Sequence, residues 1–491
     1  MIFAGLGFIF HFLPVFLLVY YIVPIKRRSL VLLLGSLVFY ALGNSYYVIL
    51  LIISVLVNYL ISYMIYKHPD YYDELDEIDN INNSGEIEYR NLKSAKSFSL
   101  SRAWLIVAII YNIGLLFVFK YYDTAAVGVG DMLGIDMPLI KMALPVGISF
   151  YTFQMLSFIF DVYRGKYIEG VSLYSFAVYA TSFTQITAGP IVRYENVRNN
   201  IENPSKVSSQ NIENGIIWFI LGLSYKVLLA DKMSSLWNDI YRVGAQGMDV
   251  ATAWLGAIGY SMNLYFDFLG YSLMALGAAL MLGFRLPDNF NEPYSAKTMT
   301  SFWRRWHITL GLWFRDYLYI PLGGNRCSTF RTIMNLFFVW VLTAIWHGAS
   351  ANFLIWGIFL FVVITLEKLT YGKYMENTKL LGHVYMLILI PVSWIIFGIN
   401  DVQILCEYLL RMVGVAVPGM AVVGFNKFIS LSWTYWWIVL IGIVFCTPIP
   451  MKLVHRFYNK VVFKMILFAL FWVSIYELTI SGNNPFIYFA F

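Results

Sequence analysis

Apolar residues in this chain gather into long runs separated by short polar punctuation. The runs lie near 3–23, 30–43, 46–66, 103–119, 138–160, 172–190, 213–230, 251–283, 332–346, 353–366, 384–398, 433–447 and 461–480. A run of about 18–20 apolar residues reads as a helix that spans a bilayer. Several runs are short or interrupted, by Pro145, Gly147, Gly189, Pro190 and Gly270. Irregular backbone at membrane depth is tolerated only where protein or a water-filled cavity covers it. The pattern therefore predicts an all-α, polytopic integral membrane protein of roughly 11–13 membrane helices, with short re-entrant and interfacial pieces.

The first run has no basic residue before it and is followed at once by Lys26, Arg27 and Arg28. A cleaved signal peptide carries its charge first. The positive-inside rule places the amino terminus outside and the 25–29 loop in the cytoplasm. After the N-terminal spans of residues 1–67 comes a polar insertion, 68–102, with eight acidic residues against four basic ones. It reads as a solvated cytoplasmic loop.

Composition narrows the classes further. The chain has 491 residues, 59% hydrophobic and 13% charged, against about 45–50% and 25% in ordinary soluble domains. Soluble enzymes, disordered chains and nucleic-acid-binding modules are excluded. The net charge of +6 is scattered between apolar runs rather than gathered in a nucleic-acid-binding stripe. Cys327, Cys406 and Cys446 are far apart, and the six histidines show no H-x-x-x-H or H-E-x-x-H spacing. Neither a disulfide framework nor a metal site is indicated.

Segment 301–318 sorts at 100° per residue. Phe302, Trp303, Trp306, His307, Leu310, Trp313, Phe314 and Tyr317 share one arc, and Arg304, Arg305, Arg315 and Asp316 the other. This is the pattern of an amphipathic helix along the interface, with His307 at the edge of its apolar side. Between Lys297 and Arg331 there are six bases and one acid, Asp316. The basic face serves topology and lipid anchoring, or binds an anionic acyl carrier.

Residues 332–366 form an apolar stretch broken only at Trp346-His-Gly-Ala-Ser-Ala-Asn352. The break predicts a hairpin with arms 332–347 and 353–366, about 24 and 21 Å long at 1.5 Å per residue. Both fall short of a hydrocarbon core of about 30 Å. With the flanking bases inside, His347 would sit recessed below the outer surface. An ionisable group at that depth is a functional candidate, and imidazole suits proton abstraction near neutral pH. Other buried polar candidates are Gln154, Asp161, Arg164, Gln185, Asn263 and Asp267. Asp161 and Arg164, one turn apart, read as a structural pair; Asp267 has no evident local partner.

Taken together the motifs resemble the membrane-bound O-acyltransferase family, in its bacterial polysaccharide O-acetyltransferase branch. They are Leu144-Pro-Val-Gly-Ile-Ser-Phe-Tyr151, Asp161-Val-Tyr-Arg-Gly165, Ala188-Gly-Pro190, Tyr265-Phe-Asp-Phe268, Ser301–Gly324 and Leu342–Gly348 ending in Trp-His-Gly. The resemblance makes 103–370 the catalytic core and leaves 371–491 as C-terminal spans. It implies that His347 is the catalytic histidine and His307 a second functional one. It further implies an outer funnel that meets a cytoplasmic passage at His347. Leu273 after Tyr271-Ser272 resembles the teichoic acid D-alanyl transferases instead, whereas Tyr319–Arg326 returns to the polysaccharide branch.

The chemistry expected is transfer of an acyl group, acetyl first, from a cytoplasmic thioester to hydroxyls of an extracytoplasmic polysaccharide. An SGNH-type acyltransferase could act as intermediary. Acyl-coenzyme A or an acyl carrier protein would be the donor, with no bound cofactor. His347 would act as general base, and His307 would orient the donor or donate to the oxyanion. Arg304, Arg305, Trp346, Asn352, Gln185 and Asp267 are the substrate-binding candidates. The bacterial plasma membrane is the expected location. The alternatives are D-alanyl transfer to teichoic acid, and a donor transporter that does no chemistry.

Overall fold

The computed structural model describes residues 3–68, 99–167, 170–187, 189–244, 247–415 and 426–481. Most of the acidic insertion, 69–98, therefore lies outside the described residues. The principal helices are α1 (Phe8–Ile22), α2 (Arg28–Gly43), α3 (Tyr47–Lys67), α4 (Leu100–Lys120), α5 (Ile148–Tyr163), α6 (Leu173–Thr181), α7 (Ser209–Val243) and α8 (Val250–Met281). After them come α9 (Met299–Trp303), α10 (Ile308–Phe314), α11 (Thr329–His347), α12 (Ala351–Asn377), α13 (Leu381–Gly398), α14 (Asn426–Phe445) and α15 (Val461–Ser481). No strand occurs among the described residues.

Nine of these helices are long and apolar enough to cross a membrane: α3, α4, α7, α8 and α11 to α15. The shorter apolar helices α1, α2 and α5 stand beside these nine, within the 11–13 that the sequence predicts with its short pieces. Run 30–43 folds as a 16-residue helix, run 138–160 is helical only from Ile148, and run 172–190 contains the nine-residue α6. The break before α5 is fixed by Gly147, whose φ of +77° favours glycine, and a Cβ there would lie 2.0 Å from the Ile186 carbonyl oxygen.

The chain divides into two compact units, Tyr20–Thr187 with Ile191–Pro204, and Met1–Val19 with Ala188–Pro190 and Ser205–Phe491. In the former, α3, α4 and α5 pack on one another. Asn58 and Asn112 exchange amide hydrogen bonds at 3.3 and 2.6 Å, and each also donates to the carbonyl four residues back. In an apolar surround such reciprocal pairs hold helices that have no hydrophobic drive to associate. Asp161 pairs with Lys166 at 3.2 Å.

The other unit is built on the crossing of α7 and α8. Gly215 and Gly222 on one helix meet Gly277 and Gly270 on the other. A Cβ at any of the four would come within 2.5–2.7 Å of the facing glycine's carbonyl oxygen. Seven-residue spacing returns to the same face after two turns, so the two pairs form one antiparallel seam. Beside it Lys226 bonds Asp267 at 3.0 Å and Asp231 at 2.6 Å. Lys226 and Asp267 are each only 2% exposed. Asp267 thus has a partner, contributed by a helix that adjacency in sequence could not reveal.

Gly222→Leu is expected to force α7 and α8 apart, at a cost of at least about 1–3 kcal/mol. In detergent the thermal midpoint should fall by several degrees; an unchanged midpoint would argue against the close crossing.

Candidate active site

Both candidate histidines belong to the unit built on α7 and α8. Segment 301–318 does not form the single helix expected. It splits into α9, a turn at Arg304–His307, α10 and a π-helical turn at Arg315–Tyr319. The predicted arc is nonetheless the buried one: Phe302, Trp306, His307, Leu310, Trp313, Phe314 and Tyr317 are all buried, whereas Arg304 and Arg315 are exposed.

Hydrogen bonds from other segments hold both the start of α9 and the turn that follows it. The buried Glu367 carboxylate caps α9, accepting hydrogen bonds from Met299 N–H at 2.6 Å, Thr300 N–H at 2.8 Å and Thr300 Oγ1 at 2.6 Å. The backbone of 289–291 then pairs with the turn, Asn291 N–H to the Arg305 carbonyl and Ile308 N–H to the Asn289 carbonyl, both 2.9 Å. His307 consequently adopts φ 44°, ψ 53°, a left-handed conformation that a bulky residue holds only when its surroundings impose it.

The His307 ring is 2% exposed. Phe268 of α8 stands edge-on to it at 4.7 Å, and Nδ1 lies 3.3 Å from Asn289 Oδ1, which also accepts from Thr309 Oγ1 at 2.6 Å. Burial lowers the imidazole pKa from 6.5 to about 3, because charging it would strip the cation of water. His307 is therefore neutral across the physiological range.

His347 ends α11 and is buried among rings: Trp346 at 4.8 Å, Phe397 at 5.0 Å, Trp356 at 5.2 Å and Phe353 at 6.2 Å. Trp346 also lies 6.3 Å from the His307 ring, so the two imidazoles flank one indole. The hairpin arms are longer than the sequence suggested. α11 has 19 residues, about 28 Å, and α12 runs on through a π-helical turn at Glu367–Tyr371 to 27 residues. Packing rather than shortness covers His347. Gly357 brings the arms together, since a Cβ there would lie 2.7 Å from that of Ala344, and Asn352 ties the tip to α13 by donating to the Phe397 carbonyl at 2.7 Å and that of Ile396 at 3.3 Å.

A cavity of about 470 Å³ opens beside His307, walled by Trp303, Arg304, Gly311, Arg315, Trp340 and Thr343 among others. A second, of about 570 Å³, has Ser272, Arg285, Asp288, Asn289 and His455 on its walls. Ile308 lines both.

The structure thus gathers His307, His347 and Trp346, with Arg304 on the wall of the His307 cavity and Asn352 behind His347. Arg305 instead bonds Ser295 Oγ at 3.0 Å, and Asp267 serves the ion pair with Lys226. Gln185 belongs to the unit of α3, α4 and α5, where it accepts a hydrogen bond from Gln154 at 3.3 Å. Sequence reasoning missed Asn289, Glu367 and Lys226. Only Lys226 carried a signal, as an ionisable residue inside an apolar run.

Residues 166–408, which include all of these candidates, match the sequence family described as MBOAT, membrane-bound O-acyltransferase family. The probable alginate O-acetylase of Pseudomonas aeruginosa is 35% identical over 409 residues, 82% of this chain and 73% of that protein. The chain belongs to the membrane-bound O-acyltransferase family. The peptidoglycan O-acetyltransferase of Helicobacter pylori is 31% identical over 443 residues, 83% of this chain and 79% of that one. The teichoic acid D-alanyltransferase of Bacillus subtilis is 28% identical over 234 residues, 45% and 58% of the two. This membrane-bound O-acyltransferase is a multi-pass membrane enzyme with nine apolar helices of spanning length among its described residues.

Two outcomes follow from the site's electrostatics. Between pH 6.5 and about 3 the unfolded chain protonates at position 307 while the folded chain does not. Stability should therefore fall with decreasing pH in that window, by about 1.4 kcal/mol per unit from this group, and His307→Gln should remove that part of the slope in pH-dependent melting. Glu367→Gln trades charge-assisted acceptors for an amide, worth about 1.5–3 kcal/mol per bond lost. Hydrogen exchange at 299–308 should quicken by about tenfold or more; unaltered protection would dismiss the cap.

Proposed function

We propose that this enzyme moves an acetyl group from a cytoplasmic thioester to hydroxyls of a cell-envelope polysaccharide, or to a separate SGNH-type acyltransferase that completes the transfer. The observation that carries the reading is the pair of buried imidazoles flanking Trp346, within a chain related to O-acetyltransferases of alginate and peptidoglycan. His347 accepts the proton of the attacking hydroxyl. The oxygen bonds to the thioester carbonyl carbon, the tetrahedral intermediate collapses, the C–S bond breaks, and the departing thiolate takes the proton from His347.

Charge distribution supports the direction of transfer. Arg285, Lys297, Arg304, Arg305, Arg315, Arg326 and Arg331 cluster between α8 and the start of α11, with Lys368 and Lys373 near the end of α12 and Lys452, Arg456 and Lys460 between α14 and α15. The connections at the opposite helix ends, 348–350 and 399–401, carry no Lys or Arg. By the positive-inside rule the basic ends are cytoplasmic, so α11 rises from there to His347 near the outer face. The same rule puts the amino terminus outside the plasma membrane. The cavity beside His307, with Arg304 and Arg315 on its wall, then faces the side of a phosphate-bearing donor such as acyl-coenzyme A or an acyl carrier protein.

Leu273 after Tyr271-Ser272 favours a second reading, D-alanyl transfer to teichoic acid. Incubation with labelled acetyl-coenzyme A or a D-alanyl carrier protein separates the two. His347→Ala should cost about 10²–10⁴-fold in turnover in folded protein. A rate near wild type would remove His347 from the mechanism.

A further inference from the structure

Asn289 lies in the loop after α8 and is 1% exposed. Its position is over-determined: its backbone carbonyl accepts the Ile308 amide, and its side-chain oxygen accepts the Thr309 hydroxyl at 2.6 Å. That same oxygen faces His307 Nδ1 at 3.3 Å. Phe268 bounds the ring edge-on, and the left-handed backbone at 307 fixes the direction from which the ring enters the pocket.

We propose that Asn289 is a positioning residue that holds neutral His307 in the tautomer with its hydrogen on Nδ1, leaving Nε2 as the accepting atom. An amide oxygen offers lone pairs and no hydrogen, so the nitrogen facing it must donate. A neutral imidazole has one donor and one acceptor nitrogen, and fixing the first fixes the second. The low pKa of the ring agrees, since it keeps the second hydrogen off across the working range. The Thr309 hydroxyl, donating to the same oxygen, steadies the amide in this orientation.

For the acyl transfer proposed above, on which this consequence rests, His307 does not donate to the developing oxyanion through Nε2. It accepts a hydrogen bond there, from a hydroxyl or from an N–H of the donor. Arg304 and Arg315, on the wall of the cavity that His307 lines, leave positive charge available on that side.

The test is the ring ¹⁵N spectrum of the full chain, labelled at histidine in lipid nanodiscs at pH 7, with the His307 signals assigned by their loss in His307→Gln. Wild type should show the Nδ1–H pattern. Asn289→Ala should lose it, and Asn289→Asp, which keeps an oxygen acceptor, should retain it. Turnover should follow: Asn289→Ala lowers kcat by about tenfold with little change in KM, and Asn289→Asp restores most of it. An Nε2–H pattern in wild type, as a turned-over amide would give, overturns the proposal. So does an Nδ1–H pattern that survives in Asn289→Ala. The wild-type spectrum decides even where Asn289→Ala does not fold. An Nδ1–H wild type that transfers no acyl group would overturn the function proposed above and leave the tautomer standing.

Discussion

The Glu367 carboxylate is the contact on which the geometry of the site depends. It accepts two backbone N–H groups and the Thr300 hydroxyl from the start of α9, and the Tyr385 hydroxyl of α13 at 3.0 Å. A buried charge is costly unless it is hydrogen-bonded, and this one is, by donors from two chain segments. It pins the start of the segment that carries Arg304 and His307 to α12, the helix that follows His347.

The helix crossing of α7 and α8 sets the other boundary. Glycines let the two backbones approach closely, and the same proximity brings Lys226 to Asp267. One residue on from Asp267, Phe268 presents its edge to His307. A structural ion pair and a wall of the site are thus neighbours on one helix, and the partner of Asp267, a substrate-binding candidate in the sequence, is Lys226.

The two histidines sit in different chemical surroundings although they share Trp346. His307 has a polar contact on one side, from Asn289, and rings on others. His347 is ringed by Trp346, Phe353, Trp356 and Phe397 at the close of a helix. Two imidazoles in surroundings as unlike as these need not behave alike.

Hydropathy determined by itself that the chain is an all-helical membrane protein. The apolar arc of 301–318 is buried except for the half-buried Trp303, and Arg304 and Arg315 of the other arc are exposed, because apolar side chains are drawn inward even where the helix is interrupted. The Trp346–Asn352 break was legible as a hairpin, because glycine, serine and asparagine clustered within a few residues favour a turn over continued helix. The motifs around His307 and His347 were enough to suggest the family. The true arm lengths, the turn at His307, and the partnerships of Asn289 with His307, Glu367 with α9 and Lys226 with Asp267 were decided only in three dimensions. Each joins residues from 18 to 68 positions apart. Local propensity and periodicity act over a few turns of chain, whereas hydrogen bonds and ion pairs between distant segments exist only once packing has excluded the alternatives.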